Sequence, residues 1–344
     1  MKKLSNKQKL HQTRVARKRL RRLRKERRRE RSLKRMIAGF IRLRAPTVFD
    51  IGNSMRRAKV ITFLTKLRRI CVTEKNPVYI DFYETRQMYA DATLLFQAEL
   101  FRVRRIMQRK AKIRCREPDN RKIRQVLKQT GIHRLIGSYS GLKATHDDVV
   151  HWRYATGSDV NGQKYDEVLG KYDGNLPSAP DKGLYLGLTE AMTNCHHHAY
   201  IEPRRDGLGQ KNEPKTWWMF SQERNNKLTV VFCDLGVGIP TTLPRTEPSL
   251  WSRIVSTFAS PEDGIVIEEA IKYSRSRTRQ TYRGKGLRQL VDVIDGLPGA
   301  ALKIYSNRGC YTYRGGVGSV ETYTTSILGT LIEWTIPLSS SLRS

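Results

Sequence analysis

The sequence predicts a two-domain chain of mixed α/β and α+β class behind a basic N-terminal arm. Three observations predict it. Residues 45–137 alternate short apolar runs with stretches of helical period, the mark of strands joined by helical crossovers. Leu184–Tyr200, LYLGLTEAMTNCHHHAY, carries apolar Leu184, Leu188 and Met192 on one stripe of a helix, and a β-branched run, LTVVFC, follows at 228–233. Three further apolar runs, 300–306, 311–313 and 330–336, close the chain.

Taken in order, residues 1–44 form the arm. They hold 20 Lys and Arg against Glu26 and Glu30, about +18 of a formal net charge of +33. Helix formers dominate, with no Pro or Gly before Gly39. Free, such a segment repels itself; on phosphates it can fold into one long helix. Charge of this density points to nucleic-acid phosphates ahead of an anionic membrane surface, with a solubilising tail or contact with an acidic patch on a partner protein as the other options. Aromatic residues are nearly absent from it, so base stacking has no support there. The remaining 300 residues are also basic, at about +15.

The five cysteines, Cys71, Cys115, Cys195, Cys233 and Cys310, are scattered, with no CxxC. This favours a reducing cytoplasm over a disulfide framework. No apolar run is long enough for a membrane span, and the basic N-terminus lacks the apolar stretch of a signal peptide.

In the domain at 45–137, Met55–Leu67 and Ala92–Met107 are expected as helices, and Pro77–Phe82 and Ala111–Cys115 as strands. Arg121–Thr130 is a helix closed by Gly131. Residues 138–182, rich in Gly, Ser, Asp and Pro, are expected as a connector. Its His146, Asp147 and Asp148 are adjacent on a loop, which is poor metal-ligand geometry. In the domain at 183–338, Glu190, Asn194 and His198 fall four apart on one helical face. Thr216–Phe220 and Leu228–Cys233 are paired strands around a QERNN turn. The second strand runs into Asp234, Gly236 and Gly238. Ser260–Tyr282 is polar, with Arg275, Arg277 and Arg279, and Arg283–Leu290, RGKGLRQL, opens a helix. Residues 339–344 are a tail. Consecutive side chains on a helix point about 100° apart, so His196, His197 and His198 cannot chelate one ion together.

The order of these pieces is an acid/amide helix, a strand ending in Asp-x-Gly-x-Gly-Ile, a Gly-x-Gly-Leu helix start and Gly329-Thr330 entering a strand. It resembles the GHKL, or Bergerat-fold, ATPases: gyrase, the ninety-kilodalton heat-shock chaperone, histidine kinases and MutL-type repair proteins. TEAMTNCHHHAY is most similar to the helix of anti-sigma-factor serine kinases. The resemblance covers roughly 175–338. The segment 45–137, with IDF and then Asp91-Ala92-Thr93 before a helix, resembles the sulfate-transporter/anti-sigma-antagonist (STAS) domain. In antagonists a phosphorylated Ser stands where this chain has Thr93, a candidate phosphoacceptor that equally serves as an N-terminal helix hydroxyl.

These resemblances imply a mixed sheet covered by helices on one face and a site for ATP and Mg²⁺. They imply that Asp234 accepts from the adenine amino group, that Gly236 and Gly238 let the backbone approach, and that the Asn194 oxygen binds Mg²⁺. Glu190 is the implied general base. Gly284, Lys285, Gly286 and Leu287 would meet the phosphates, Thr330 would be the last contact, and His198 would be structural or near the phosphates. The polar residues at 260–282 would be a lid. The implied activity is slow ATP hydrolysis or protein Ser/Thr phosphorylation, acting on a regulatory protein partner. Two alternatives stand beside it. One is an ATP-gated nucleic-acid switch using the arm, which as in gyrase-type relatives includes a homodimer. The other is a non-catalytic nucleotide-sensing scaffold.

Overall fold

The computed structural model describes residues 11–24, 37–108, 110, 112–137, 145, 152–160, 163–169, 178–276 and 286–338. Helix α1 covers residues 11–24, and every one of its residues is exposed. The fold that follows is mixed α/β.

Three parallel strands, β1 (Ile41–Arg44), β3 (Val78–Asp81) and β5 (Ile113–Arg116), form a small sheet in the order β1-β3-β5. A second parallel pair joins β2 (Val48–Phe49) to β4 (Gln87–Met88). Around them lie α2 (Ser54–Arg68), α3 (Ala90–Ile106), α4 (Arg121–Gln129) and α5 (Ile132–Ile136). Asn53 and Asn120 cap α2 and α4 by accepting from backbone N–H groups, satisfying donors a helix start leaves free. Gly131 is left-handed at the end of α4 as expected.

The larger sheet has seven strands in the order β11-β10-β9-β12-β8-β7-β6. These are β6 (Arg153–Gly157), β7 (Trp217–Arg224), β8 (Lys227–Asp234), β9 (Ala301–Ser306), β10 (Gly309–Arg314), β11 (Val317–Thr322) and β12 (Thr330–Pro337). Every neighbouring pair is antiparallel, which corrects the expected mixed sheet. The β7–β8 hairpin turns at Asn225-Asn226, both at positive φ, so QER belongs to the strand. Asn tolerates that conformation at little cost.

Strand alternation gives the sheet two apolar faces. On one, Leu228, Val230 and Phe232 of β8 pack with Ile332, Trp334 and Ile336 of β12. This face meets α6 (Gln163–Leu169), α7 (Ser178–Asn194) and α11 (Gly286–Asp292), with a widened π-helical turn, Cys195–Ala199, ending α7. The other face carries Trp218, Phe220, Val231, Cys233 and Leu331, and it packs against the first unit, chiefly α3. The sheet is therefore covered on both faces, not one.

Helix α3 is buried on nearly every side, and its polar residues are paired. Gln97 donates to the Thr130 carbonyl at 2.6 Å. Glu99 accepts from Arg68 and Arg204, both at 2.6 Å. Arg102 reaches Asp206 and Glu213, each at 2.5 Å. The segment 138–182 is also corrected. It contains the edge strand β6 and helix α6, tied in by Trp152 against Phe220 and by Tyr165, Val168 and Leu169 in the core. Polar spacing around so few apolar residues hid both elements. His146, Asp147 and Asp148 lie outside the described residues. Among the described residues no helix is long and apolar enough to cross a membrane, and none of the five cysteines is in a disulfide.

Candidate functional site

A cavity of about 600 Å³ opens between α7, the ends of β8 and β12, and a cap of three helices. The cap is α8 (Ile239–Thr246), α9 (Pro248–Thr257) and α10 (Asp263–Ser276). It has its own small core of Leu243, Leu250, Ile254, Val266 and Ala270. Glu190, Asn194, His198, Asp234, Gly238, Gly286, Leu287 and Thr330 all line the cavity. Residues spread over 140 positions of sequence thus meet at one place. Gly284 and Lys285 lie outside the described residues, as do Arg277, Arg279 and Arg283.

Asp234 stands at the cavity floor because strand parity puts it on the same face as Leu228, Val230 and Phe232. Its carboxylate accepts from the Gly236 N–H at 2.9 Å and from the Thr330 N–H. Burial pushes this carboxyl up to about 6, against the pull of those two donors and of Arg204. The glycine turn behind it is tightly enclosed. A Cβ at Gly236 would overlap the Ala199 carbonyl, and one at Gly238, whose φ is +82°, would meet the Asn307 amide at 2.7 Å.

At the other wall, Asn194 Nδ2 donates to Glu190 Oε1 at 2.8 Å, one turn apart on α7. This bond leaves Asn194 Oδ1 free to accept or to bind a cation. Burial raises the Glu190 carboxyl, and the Asn194 bond partly opposes it. Gly286 abuts Glu190 so closely that a Cβ there would collide with Oε1. His198 lies within the π-helical turn and sits exposed at the rim. Partial burial and the neighbouring His197 lower its imidazole, against the raising effect of Glu247.

Three supporting residues escaped sequence reasoning. Tyr200 donates its hydroxyl to the Thr216 carbonyl at 2.5 Å and accepts from Leu235 N–H at 3.1 Å, anchoring the chain after Asp234. Ser306 Oγ accepts from Ile239 N–H at 2.8 Å, holding the start of α8. Asn307 donates to the Val237 carbonyl at 2.9 Å and to Thr241 at 3.3 Å. The Ser-Asn-x-Gly signal at 306–309 marked a turn, not a brace.

Thr93 is corrected as a phosphoacceptor. It is buried, and its hydroxyl donates to the Tyr89 carbonyl at 2.6 Å. It also lies on α3, behind the large sheet and away from the cavity. Among the described residues no three His, Cys, Asp or Glu side chains converge to hold a metal. The arrangement offers a buried hydrogen-bond acceptor at Asp234 and, at the other end, the oxygens of Glu190 and Asn194, which suit a cation or a hydrogen-bond donor. Neither a family model nor a curated protein sequence matches this chain.

Proposed function

We propose that this cavity is an Mg-ATP site of GHKL, Bergerat-fold type, with a STAS-like unit packed on the back of its sheet. The observation that carries the proposal is the pairing of two unlike ends in one pocket. A buried, backbone-held carboxylate, Asp234, stands at one end, and a hydrogen-bonded acid–amide pair, Glu190 and Asn194, at the other. The volume of about 600 Å³ is within the range of small-molecule sites.

Asp234 accepts from the adenine amino group, and a guanine in the same pose would leave that acceptor unpaired. The donor set fits Mg²⁺, which takes one or two protein oxygens and completes its shell with phosphates and water. Asn194 Oδ1 is the protein oxygen. Bound there, Mg²⁺ supplies charge neutralisation at the phosphates. Glu190, with its carboxyl raised by burial, takes a proton from the attacking water or acceptor hydroxyl. The cap of α8–α10 excludes water. The activity is slow hydrolysis or transfer to a hydroxyl on a partner protein.

A second reading, that the arm binds nucleic acid and ATP gates it, is favoured by one observation. Helix α1 is exposed at every residue, with the apolar side chains of Val15, Leu20 and Leu23 uncovered.

The test is incubation with γ-labelled ATP and Mg²⁺, following free phosphate and protein-bound label separately, with Glu190→Ala and Asp234→Asn as controls. Glu190-dependent release of phosphate establishes a hydrolase, and label on a partner protein a kinase. Binding without turnover leaves the sensing scaffold. Loss of ATP binding in the wild-type chain would contradict the proposal.

A further inference from the structure

A groove of about 1010 Å³ runs between the free edge of β1 and helix α2, on the first unit and remote from the cavity above. Its walls carry Arg42, Arg44, Lys59, Lys66 and Arg69, against Glu74 and Glu84. Arg42 is held by Asp81 and Arg69 by Glu74. Arg44, Lys59 and Lys66 make no ion pair or hydrogen bond among the described residues, although all three reach the groove. Lys59 and Lys66 lie seven apart on one face of α2, about 10 Å along its axis. The strand edge adds donors. Ile41 and Ala45 give their N–H groups to the Pro77 and Asp81 carbonyls along β3, so the period of two turns those of Arg42 and Arg44 toward the other side, where β1 has no neighbouring strand among the described residues.

We infer that this groove binds the phosphate backbone of a single nucleic-acid strand. The charge is complementary and includes three uncommitted cations. The cations come from the strand β1 on one wall and helix α2 on the other, so one strand of phosphates lying in the groove meets both sets. Among the described residues the one aromatic in its lining, Phe63, is buried in the core, so contact is through phosphates and not by base stacking. This inference does not rest on the nucleotide cavity.

The test uses the full chain and a labelled oligothymidylate, titrated by anisotropy across a salt series. Three triple substitutions each remove three positive charges. The first is Arg44→Gln, Lys59→Gln, Lys66→Gln in the groove. The second is Arg17→Gln, Lys18→Gln, Arg21→Gln in the arm. The third is Lys211→Gln, Lys227→Gln, Arg314→Gln on exposed surface elsewhere. Each phosphate contact contributes about 0.7 to the salt slope for a single strand, so the groove triple lowers the slope by about 2 and the surface triple leaves it unchanged. An unchanged slope in the groove triple overturns the inference, whatever the arm triple does. Equal loss in groove and surface triples also overturns it, since net charge alone would then explain binding. Lost affinity for labelled polyglutamate with oligothymidylate binding intact would assign the groove to an acidic protein instead. Failure of the wild-type chain to bind oligothymidylate at low salt rejects it outright.

Discussion

Arg57, fully buried on α2, donates to the Asn307 carbonyl at 2.8 Å across 250 positions of sequence. The Asn307 side chain in turn holds Val237 in the glycine turn beside Asp234. The same guanidinium bonds the Thr325 carbonyl at 3.1 Å and lies over the Tyr323 ring at 4.1 Å. One cation of the first unit thus braces the loops that shape the cavity in the second.

Arg57→Met keeps the bulk and removes the donors. Stranding buried carbonyls costs about 1–3 kcal/mol each, so stability falls by roughly 3 kcal/mol in urea unfolding. Nucleotide affinity falls with it, because the turn loses its brace. A variant that is destabilised but binds nucleotide unchanged would show that the brace does not reach the site.

Glu99 is the second link between the units. Burial alone would raise its carboxyl, but Arg204 and Arg68 overcome that and hold it at about 2, below an ordinary 4.5. A depressed folded-state value means the stabilisation is complete above pH 4.5 and is lost as pH falls through about 2. The amount is about 3 kcal/mol. Glu99→Gln leaves two buried guanidinium groups without their carboxylate and costs about 3–5 kcal/mol. The acid unfolding midpoint shifts upward with it. An unchanged acid profile would mean that the network contributes nothing net.

Asp234 titrates in the opposite sense. Its free-state value of about 6 lies above the ordinary 3.8, and only the ionised form accepts from an amino group. Ligand affinity is therefore steady above pH 6 and weakens below it, up to tenfold per pH unit. Titration calorimetry from pH 5 to 8 measures this. Flat affinity across that range would remove the adenine contact from Asp234.

Two glycines separate folding from chemistry. A methyl at Gly236 strikes backbone, the Ala199 carbonyl, so Gly236→Ala costs about 2 kcal/mol or more in stability. A methyl at Gly286 strikes the flexible end of Glu190. Gly286→Ala therefore costs little stability, displaces the carboxylate, and lowers turnover about tenfold or more. Equal loss of stability in both would contradict this division.

The cavity was legible because its residues are set by local chemistry. A helical spacing of four placed Glu190 and Asn194 together, and an Asp ending an apolar strand placed the floor. The short apolar run in PVYIDF and the β-branched run in LTVVFC revealed the strands for the same reason. What could not be read was long-range. The all-antiparallel order depends on which strands pair, not on any one strand's pattern. Strand β6 and helix α6 offered too few apolar residues in a polar stretch. The double coverage of the sheet follows from α3 being buried on nearly every side, and its Gln97, Glu99 and Arg102 gave no sign in sequence of lying inside. Arg57, Glu99 and Arg204 look like surface charges in sequence, and only their partners, up to 268 positions away, make them interior. Thr93 misled because a hydroxyl near a helix start satisfies its own backbone as readily as it accepts phosphate.

The measurement that bears most directly on the central claim is calorimetric binding of Mg-ATP and Mg-GTP to the full chain and to Asp234→Asn. Selective binding of ATP by the wild-type chain, with a loss of about 100-fold in the variant, is the predicted result. Equal affinity for both nucleotides, or ATP affinity unchanged in Asp234→Asn, would contradict it.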